Sequence, residues 1–414
     1  MADPPLAPGH LSGAGAAAAV AAGLSSEACL RRSGPEHLEG CARHRERLWW
    51  LLWSRCPGLG WVRLQAAIAA FGSLEAAWAA PAEAFGHLSG WPPGVRSAFE
   101  RFRQSWGPEP LAAFGAKAAR GRGVLLPGDG RWPHGIACLS RPPLGLYWKG
   151  RGSLWPPLCR RAAVAVVGTR RPSSHGLAMA RRLGAALAEG GWPVVSGLAE
   201  GIDAAVHEGC LRADGAPVGV LGTPLERVYP RHHQRLQAAV ARSGLLVSEH
   251  PAGTAVSPGH FASRNRLQVA LASAVVVLEC PVSSGALHSA NLAWSEGLPL
   301  WVVPADTGRS SAAGSNRLLA RGATPLLDPQ DLLTSLGEGP LADGRQASGF
   351  SPAQPTPPLT PAQRRLLEAV GASASLEELS ARLAQPPARL AMGLMELEQQ
   401  GRLQAEPGLL WRPC

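Results

Sequence analysis

From Ala162 onward the chain repeats one rhythm, and that rhythm constrains its fold more than any other feature. A short apolar run meets a glycine turn, and a helical stretch follows. "AAVAVVG" precedes "SSHGLAMARRLGAALAEGG", "PVVSG" precedes "GIDAAVHEGCLRADG", and "APVGVLG" leads to "QRLQAAVARSG"; "LLVSE", "AVVVLE" and "LPLWVVP" come after. Continuous Val/Leu runs bounded by glycine are the pattern of strands buried on both faces. Alternation with helices predicts right-handed βαβ units and an open, mostly parallel α/β sheet.

The flanks differ in texture. Residues 1–44 are low-complexity Ala/Gly/Pro sequence, read as a disordered extension. The stretch 45–120 carries apolar residues at helical spacing, broken at Pro57-Gly58-Leu59-Gly60, and predicts a small helical domain. The α/β domain with its Pro/Gly-rich lead-in covers 121–328. A Pro/Ser/Gln/Gly linker covers 329–358, and 359–414 read as three helices with a two-stranded end.

Composition narrows the class. Of 414 residues, 46% are hydrophobic and 17% charged, which fits globular domains. The net charge of +10 suits a polyanionic partner, although Lys117 and Lys149 are the only lysines and the Arg bias follows the Ala/Gly/Pro richness. Eight scattered cysteines form no CxxC pair and no Cys/His cluster at zinc spacing, the usage of a reducing cytoplasm, and no metal is expected. No apolar run reaches the roughly 18 residues that a membrane span needs. The Ala-rich "GAGAAAAVAAGL" lacks the basic start of a signal peptide.

In open α/β sheets, ligands sit beyond the carboxyl ends of the strands, so the residues just after each strand are the candidates. "GTRRPSSHG" after the first strand is neither the dinucleotide fingerprint nor a Walker loop, because Arg170 and Arg171 stand where a second glycine and its neighbour would be. Two guanidiniums beside free amides suit a phosphate; a solvated loop is the other reading. In "SGLAEGID", Gly197 and Gly201 permit close backbone approach, and Asp203 reads as a turn or capping residue. Glu249 and His250 have no nucleophile or second carboxylate at suitable spacing. "FASRNR" sets Phe261 ahead of Arg264, Asn265 and Arg266, and Ser283-Ser284-Gly285 opens a helix able to accept an anion.

Taken in order, "VAVVGTRRPSSHG", "VVSGLAEGIDAAVH", "RVYP", "LLVSEHPAG", "FASRNR", "SSGALHSANLA" and "VVPADTGRSSAAGSNRLLARGA" closely resemble the DNA-processing protein A (DprA, or Smf) family over about 160–328. The resemblance implies a Rossmann-like domain that binds single-stranded DNA and passes it to the RecA recombinase during natural transformation. It further implies a cytoplasmic, non-enzymatic homodimer without cofactor. By motif, Gly168, Thr169, Arg170 and the adjoining Arg171 belong to the pocket turn. Ser196, Gly197, Gly201 and Asp203 match the SGxAxGID element, the last two as structural turn residues. Phe261, Arg264, Asn265 and Arg266 match FPxRNR, and Ser284 with Gly285 the following turn. Departures are Ala262 in place of the proline, Thr223-Pro224 with Glu226 in the third turn, Ser289-Ala290 after His288, and Pro304-Ala305. They bear on pocket geometry and affinity rather than on fold.

The alternating arginines of the triplet point to different helix faces, so one of Arg264 and Arg266 is expected at DNA and the other at a carboxylate such as Glu249 or Glu279. "PGLGWVRLQAAIAAFGS" resembles a helix-hairpin-helix (SAM-like) turn, for which phosphate contact and plain helix packing are both open. The end of the chain resembles a winged helix whose "PARLAMGLMELEQQG" segment carries Arg389 beside Glu396 and Glu398, favouring protein or dimer contact at least as much as groove insertion. The alternative function, a nucleotide-hydrolysing phosphoribohydrolase on a related scaffold, requires a PGGxGTxxE motif; "PVSSGALHSANLAWSEG" places no Glu at that spacing.

Overall fold

Trp53 and Phe99 stack face to face, 4.6 Å apart, at the centre of the N-terminal helices. In this computed structural model, residues 35–118, 123–342 and 359–413 are described, apart from 372, 400–401 and 407–409. The helices are α1 (Pro35–Trp53), α2 (Trp61–Phe71), α3 (Leu74–Ala79), α4 (Pro93–Gln104) and α5 (Pro110–Ala118). Their core is unusually aromatic, with Trp49, Trp78, Phe85, Trp91 and Phe114 buried around that stack. Offset and edge-on ring pairs contribute beyond their buried area, which suits so small a helical cluster. The helical part thus begins ten residues before the expected 45, and the extension read as disordered lies, over residues 1–34, outside the described residues.

This cluster is tied to the sheet beside it. Arg47 pairs with Asp129 at 2.5 Å, and Trp50 Nε1 donates to the Leu144 carbonyl at 2.6 Å. The lead-in segment joins the sheet as two antiparallel edge strands, β1 (Val124–Leu125) and β2 (Leu146–Gly150). Seven parallel strands complete it: β3 (Val164–Val167), β4 (Val194–Ser196), β5 (Pro217–Leu221), β6 (Leu245–Ser248), β7 (Ala274–Val277), β8 (Leu300–Val302) and β9 (Thr324–Pro325). The order is β1-β2-β6-β5-β4-β3-β7-β8-β9. Ala165 and Val167 enter one core while Val164 and Val166 enter the other, which is why the strand reads as an unbroken apolar run.

The helices between strands are α6 (Ser174–Glu189), α7 (Ile202–Arg212), α8 (Gln234–Ser243), α9 (Pro258–Ala270), α10 (Gly285–Ser295) and α11 (Ala313–Ala320). A further helix, α12 (Pro329–Leu336), extends this domain past the expected boundary at 328. Asp328 and Asp331 form a capping box there, and Leu332 is fully buried. Gly339 N and Leu341 N then donate to the carbonyls of Gly190 and Gly191 at 2.9 and 3.0 Å, so the chain stays bonded to this domain through Leu341, within the span read as linker.

By contacts the chain divides into units 1–347 and 348–414. In the second, α13 (Pro361–Val370), β10 (Ala374–Ser375), α14 (Leu376–Leu383) and α15 (Pro387–Gln399) lead to β11 (Leu403–Glu406) and β12 (Leu410–Pro413). Leu366, Leu379, Leu390, Leu394, Leu397 and Trp411 form its core. The sheet order is β10-β12-β11; the third strand, only two residues long, is too short to leave a sequence pattern.

Candidate nucleic-acid interface

After β3 the chain turns one way across the sheet, and after β7 the other, so strand order reverses between these two neighbours. Loops that leave adjacent strands in opposite directions open a crevice at such a switch point. The crevice is a cleft of about 820 Å³. One wall is Gly168 to Arg171 from the β3 turn, and the opposite wall is Ser284 and Gly285 with Ser310 and Ser311. Asp203 near the start of α7 and one side of α9, with Phe261, Arg264 and Asn265, close the third side.

Two hidden acids hold the walls. Glu279, buried at the end of β7, accepts from Ser173 N at 3.0 Å, Ser173 Oγ at 2.8 Å and Ser311 Oγ at 2.5 Å, and its own carbonyl receives Thr169 N at 2.6 Å. Burial alone would push its carboxyl up, but the bonds from Ser311 and Ser173 and the Arg309 charge outweigh burial and hold it below the ordinary value. Asp203 accepts from Gly197 N at 3.1 Å; it clamps the turn and does not cap α7, whose N-cap is Gly201. Burial raises the Asp203 carboxyl, opposed by the nearby Arg264 charge and the turn amides. Gly201 has φ +80°, and a Cβ there would lie 2.4 Å from the Thr169 carbonyl, so glycine is required.

Phe261, Arg264, Asn265 and Gln268 share one face of α9 at i, i+3, i+4 and i+7. Arg264 is buried: Nη1 donates to the Gly197 carbonyl at 2.7 Å and to that of Val220. A Cβ on residue 197 would fall 2.1 Å from that guanidinium, which explains Gly197. Burial lowers the Arg264 pKa, the Asp203 charge supports it, and Arg170 adds to the lowering. Arg264 therefore acts as the floor of the cleft, spanning β4 and β5.

At the mouth stands Phe261, half-buried, with Tyr229 at 4.7 Å on one side and the Arg170 guanidinium at 5.9 Å on another. Tyr229 is 47% exposed. A narrower recess beside it is lined by Arg170, Gly197, Glu200 and Tyr229, and Glu200 faces His232 at 3.4 Å. Deeper in, Gln268 Nε2 and Ser289 Oγ are buried with no hydrogen-bond partner among the described residues.

Nine of the twelve expected contact residues thus line the cleft: Gly168, Thr169, Arg170, Arg171, Phe261, Arg264, Asn265, Ser284 and Gly285. Three stand elsewhere. Ser196 is buried and donates to the Val166 carbonyl at 2.7 Å. Gly197 opens into the side recess. Arg266 points away from the cleft and pairs with Glu249 at 2.5 Å. Tyr229, Gln268 and Ser289 were not among the expected contact residues, although Tyr229 stood in "RVYP" and Ser289 among the motif departures; Glu279, named as a possible partner of an arginine, instead accepts from Ser173 and Ser311. Among the described residues, no group of His, Cys, Asp or Glu is disposed to hold a metal, and no helix is long and apolar enough to cross a membrane.

Fold and cleft together define a doubly wound α/β protein with a cationic, aromatic-lipped switch-point pocket in place of a dinucleotide site. Sequence comparison names the group: the model of the family described as DNA recombination-mediator protein A matches residues 123–337, and the DprA winged helix domain matches 350–408. The chain belongs to this DprA/Smf family. It is 31% identical over 394 residues to Protein Smf of Synechocystis sp., covering 89% of this chain and 98% of the relative. It is 30% identical over 231 residues to the DNA processing protein DprA of Bacillus subtilis, covering 56% of this chain and 76% of the relative. The solved DNA processing protein A of Streptococcus pneumoniae superposes with a TM-score of 0.58 at 25% identity, covering 70% of this chain and 96% of that one.

Proposed function

We propose that the switch-point cleft binds single-stranded DNA without catalysing a reaction on it, and that the protein protects incoming strands and loads the RecA recombinase during natural transformation, working as a homodimer in the cytoplasm. The observation that carries the DNA reading is Phe261 at the mouth of the cleft, flanked by Tyr229 and Arg170. An open ring can stack on a base only where that base is unstacked, which selects single strands over duplex. The guanidiniums of Arg170 and Arg171, both exposed, supply the phosphate contacts. Among the described residues Asp203 is the sole acid lining the cleft, and it is engaged by the Gly197 amide, which supports binding over hydrolysis.

RecA loading and dimerisation rest on family membership. The exposed face of α15 agrees with a protein-contacting role for the winged helix: Arg389, Met392, Met395 and Glu396 are exposed there, with one base among them. The deciding experiment is a salt-titrated binding measurement with oligo-dT and a matched duplex. Preference for the single strand, lost in Phe261→Ala, is expected; equal affinity for duplex with no effect of Phe261→Ala overturns the reading. RecA filament growth on the same strand, with and without the protein, tests the loading step.

A further inference from the structure

Across α9 from the DNA cleft lies a second one, of about 950 Å³, between the Pro57–Gly60 turn of the helical cluster, the Arg141–Leu144 segment and the loop after β6. Four arginines line it, Arg55, Arg63, Arg141 and Arg266, against one carboxylate, Glu249, which leaves an excess of three positive charges (four minus one). Arg266 is held by Glu249. Arg63 is pinned to the wall by donating to the Gly58 and Gly90 carbonyls, neither of which cancels its charge. Arg55 lies over the Phe114 ring at 5.3 Å. Arg141 is exposed and forms no ion pair among the described residues.

A second observation points to a ligand. Glu249 Oε1, Arg266 Nη1, His250 Nε2 and His260 Nδ1 are all buried and all lack a hydrogen-bond partner among the described residues. Isolated orphans occur in any protein, but these four cluster on residues that line one cleft. The rings of His250 and His260 stack 4.0 Å apart at 22°. Burial, then the His260 and Arg266 charges, lower His250 to about 4, so at neutral pH it offers a neutral nitrogen and the arginines carry the charge.

We propose that this cleft is a second polynucleotide subsite, which takes the phosphate backbone of the strand whose neighbouring bases occupy the first cleft. The inference rests on the DNA reading of the first site. Nucleic acid is favoured over an acidic peptide by continuity: a single helix, α9, about 10 Å across, separates the two clefts, presenting Phe261 and Arg264 to one and His260 and Arg266 to the other. Backbone contact also asks chiefly for cations and donors, which the four arginines supply.

The test compares oligo-dT of about 6 nucleotides, enough for one site, with oligo-dT of about 20, enough for both. With the full chain, Arg141→Glu should weaken the longer strand about tenfold at low salt and leave the shorter unchanged, because only the longer reaches the added phosphate contacts. Arg55→Glu, checked for an unchanged melting curve, should do the same. Equal affinity of wild type and both variants for the longer strand overturns the second subsite, and so does an equal loss on both lengths, which marks a diffuse field effect. Displacement of the longer strand by poly-glutamate more readily than by excess oligo-dT, abolished in Arg141→Glu, reassigns the cleft to an acidic protein. Phe261→Ala separates the failures: if it weakens both lengths, the first site stands whatever the arginine variants do, and if it weakens neither, the DNA reading itself fails.

Discussion

Arg264 and Arg266 stand two residues apart on α9 and enter opposite clefts: Arg264 lies beneath the Gly197 and Val220 carbonyls, whereas Arg266 reaches Glu249. Two helical steps turn a side chain by about 200°, so no rotation of α9 brings both guanidiniums to one ligand. The consequence is a division of labour that can be measured residue by residue.

Arg264→Ala is expected to cost stability before it costs affinity. It strips buried carbonyls and Asp203 of their cation, a loss of about 3 kcal/mol, whereas Arg170→Ala, at an exposed site, leaves the urea midpoint unchanged. Chemical denaturation of both variants checks the contrast. Equal midpoints would show that Arg264 is no structural floor.

The aromatic lip should behave as a pair. Phe261→Ala and Tyr229→Ala are each expected to weaken oligo-dT binding by about 1–3 kcal/mol with the circular dichroism spectrum preserved. Tyr229 is the sharper probe because it is 47% exposed and lies 4.7 Å from Phe261. A Tyr229→Ala variant with wild-type affinity removes it from the site.

Salt dependence counts the phosphate contacts. Replacing Arg170 or Arg171 by Ala should each reduce the slope of log K against log salt by about 0.7 if each meets one phosphate of a single strand. A slope unchanged in one of them identifies a guanidinium that stays in solvent.

Glu279 predicts an acid limb. Its folded carboxyl lies below the ordinary 4.5, so the unfolded chain takes up the proton first. The stabilisation is therefore complete above about pH 4.5 and is lost as pH falls through the lower folded value. The stability gap between wild type and Glu279→Gln, followed by urea unfolding at successive pH values, should be constant near neutrality and close on acidification. A gap that widens toward low pH contradicts the sign.

The parallel sheet was legible because strands buried on both faces leave an uninterrupted signature, as in Val164–Val167 and Ala274–Val277. The end of the domain was less so. The helix after Asp328 opens with a proline and precedes a Pro/Gly-rich tract; its place depends on the burial of Leu332, and the segment after it on the carbonyls of Gly190 and Gly191, far back in the chain. Most of the cleft could be read from motif order, since strand-end loops gather at one edge of such a sheet. The serine partners of Glu279 and the place of Ser289 in the cleft escaped because a buried hydrogen-bonding group carries no local pattern.

The sequence by itself determined the α/β rhythm, the placing of Arg170, Arg171 and Phe261 after their strands, and the opposed faces of the "RNR" triplet, because periodicities of two and 3.6 are local properties of the backbone. Which arginine faces which cleft, the approach of Tyr229 to Phe261, and the second cleft, with its four polar atoms unpartnered among the described residues, were decided only by tertiary packing. Each joins residues tens to hundreds of positions apart, such as Arg63 and Arg266, and such distances follow from how helices dock on a sheet rather than from any stretch of chain.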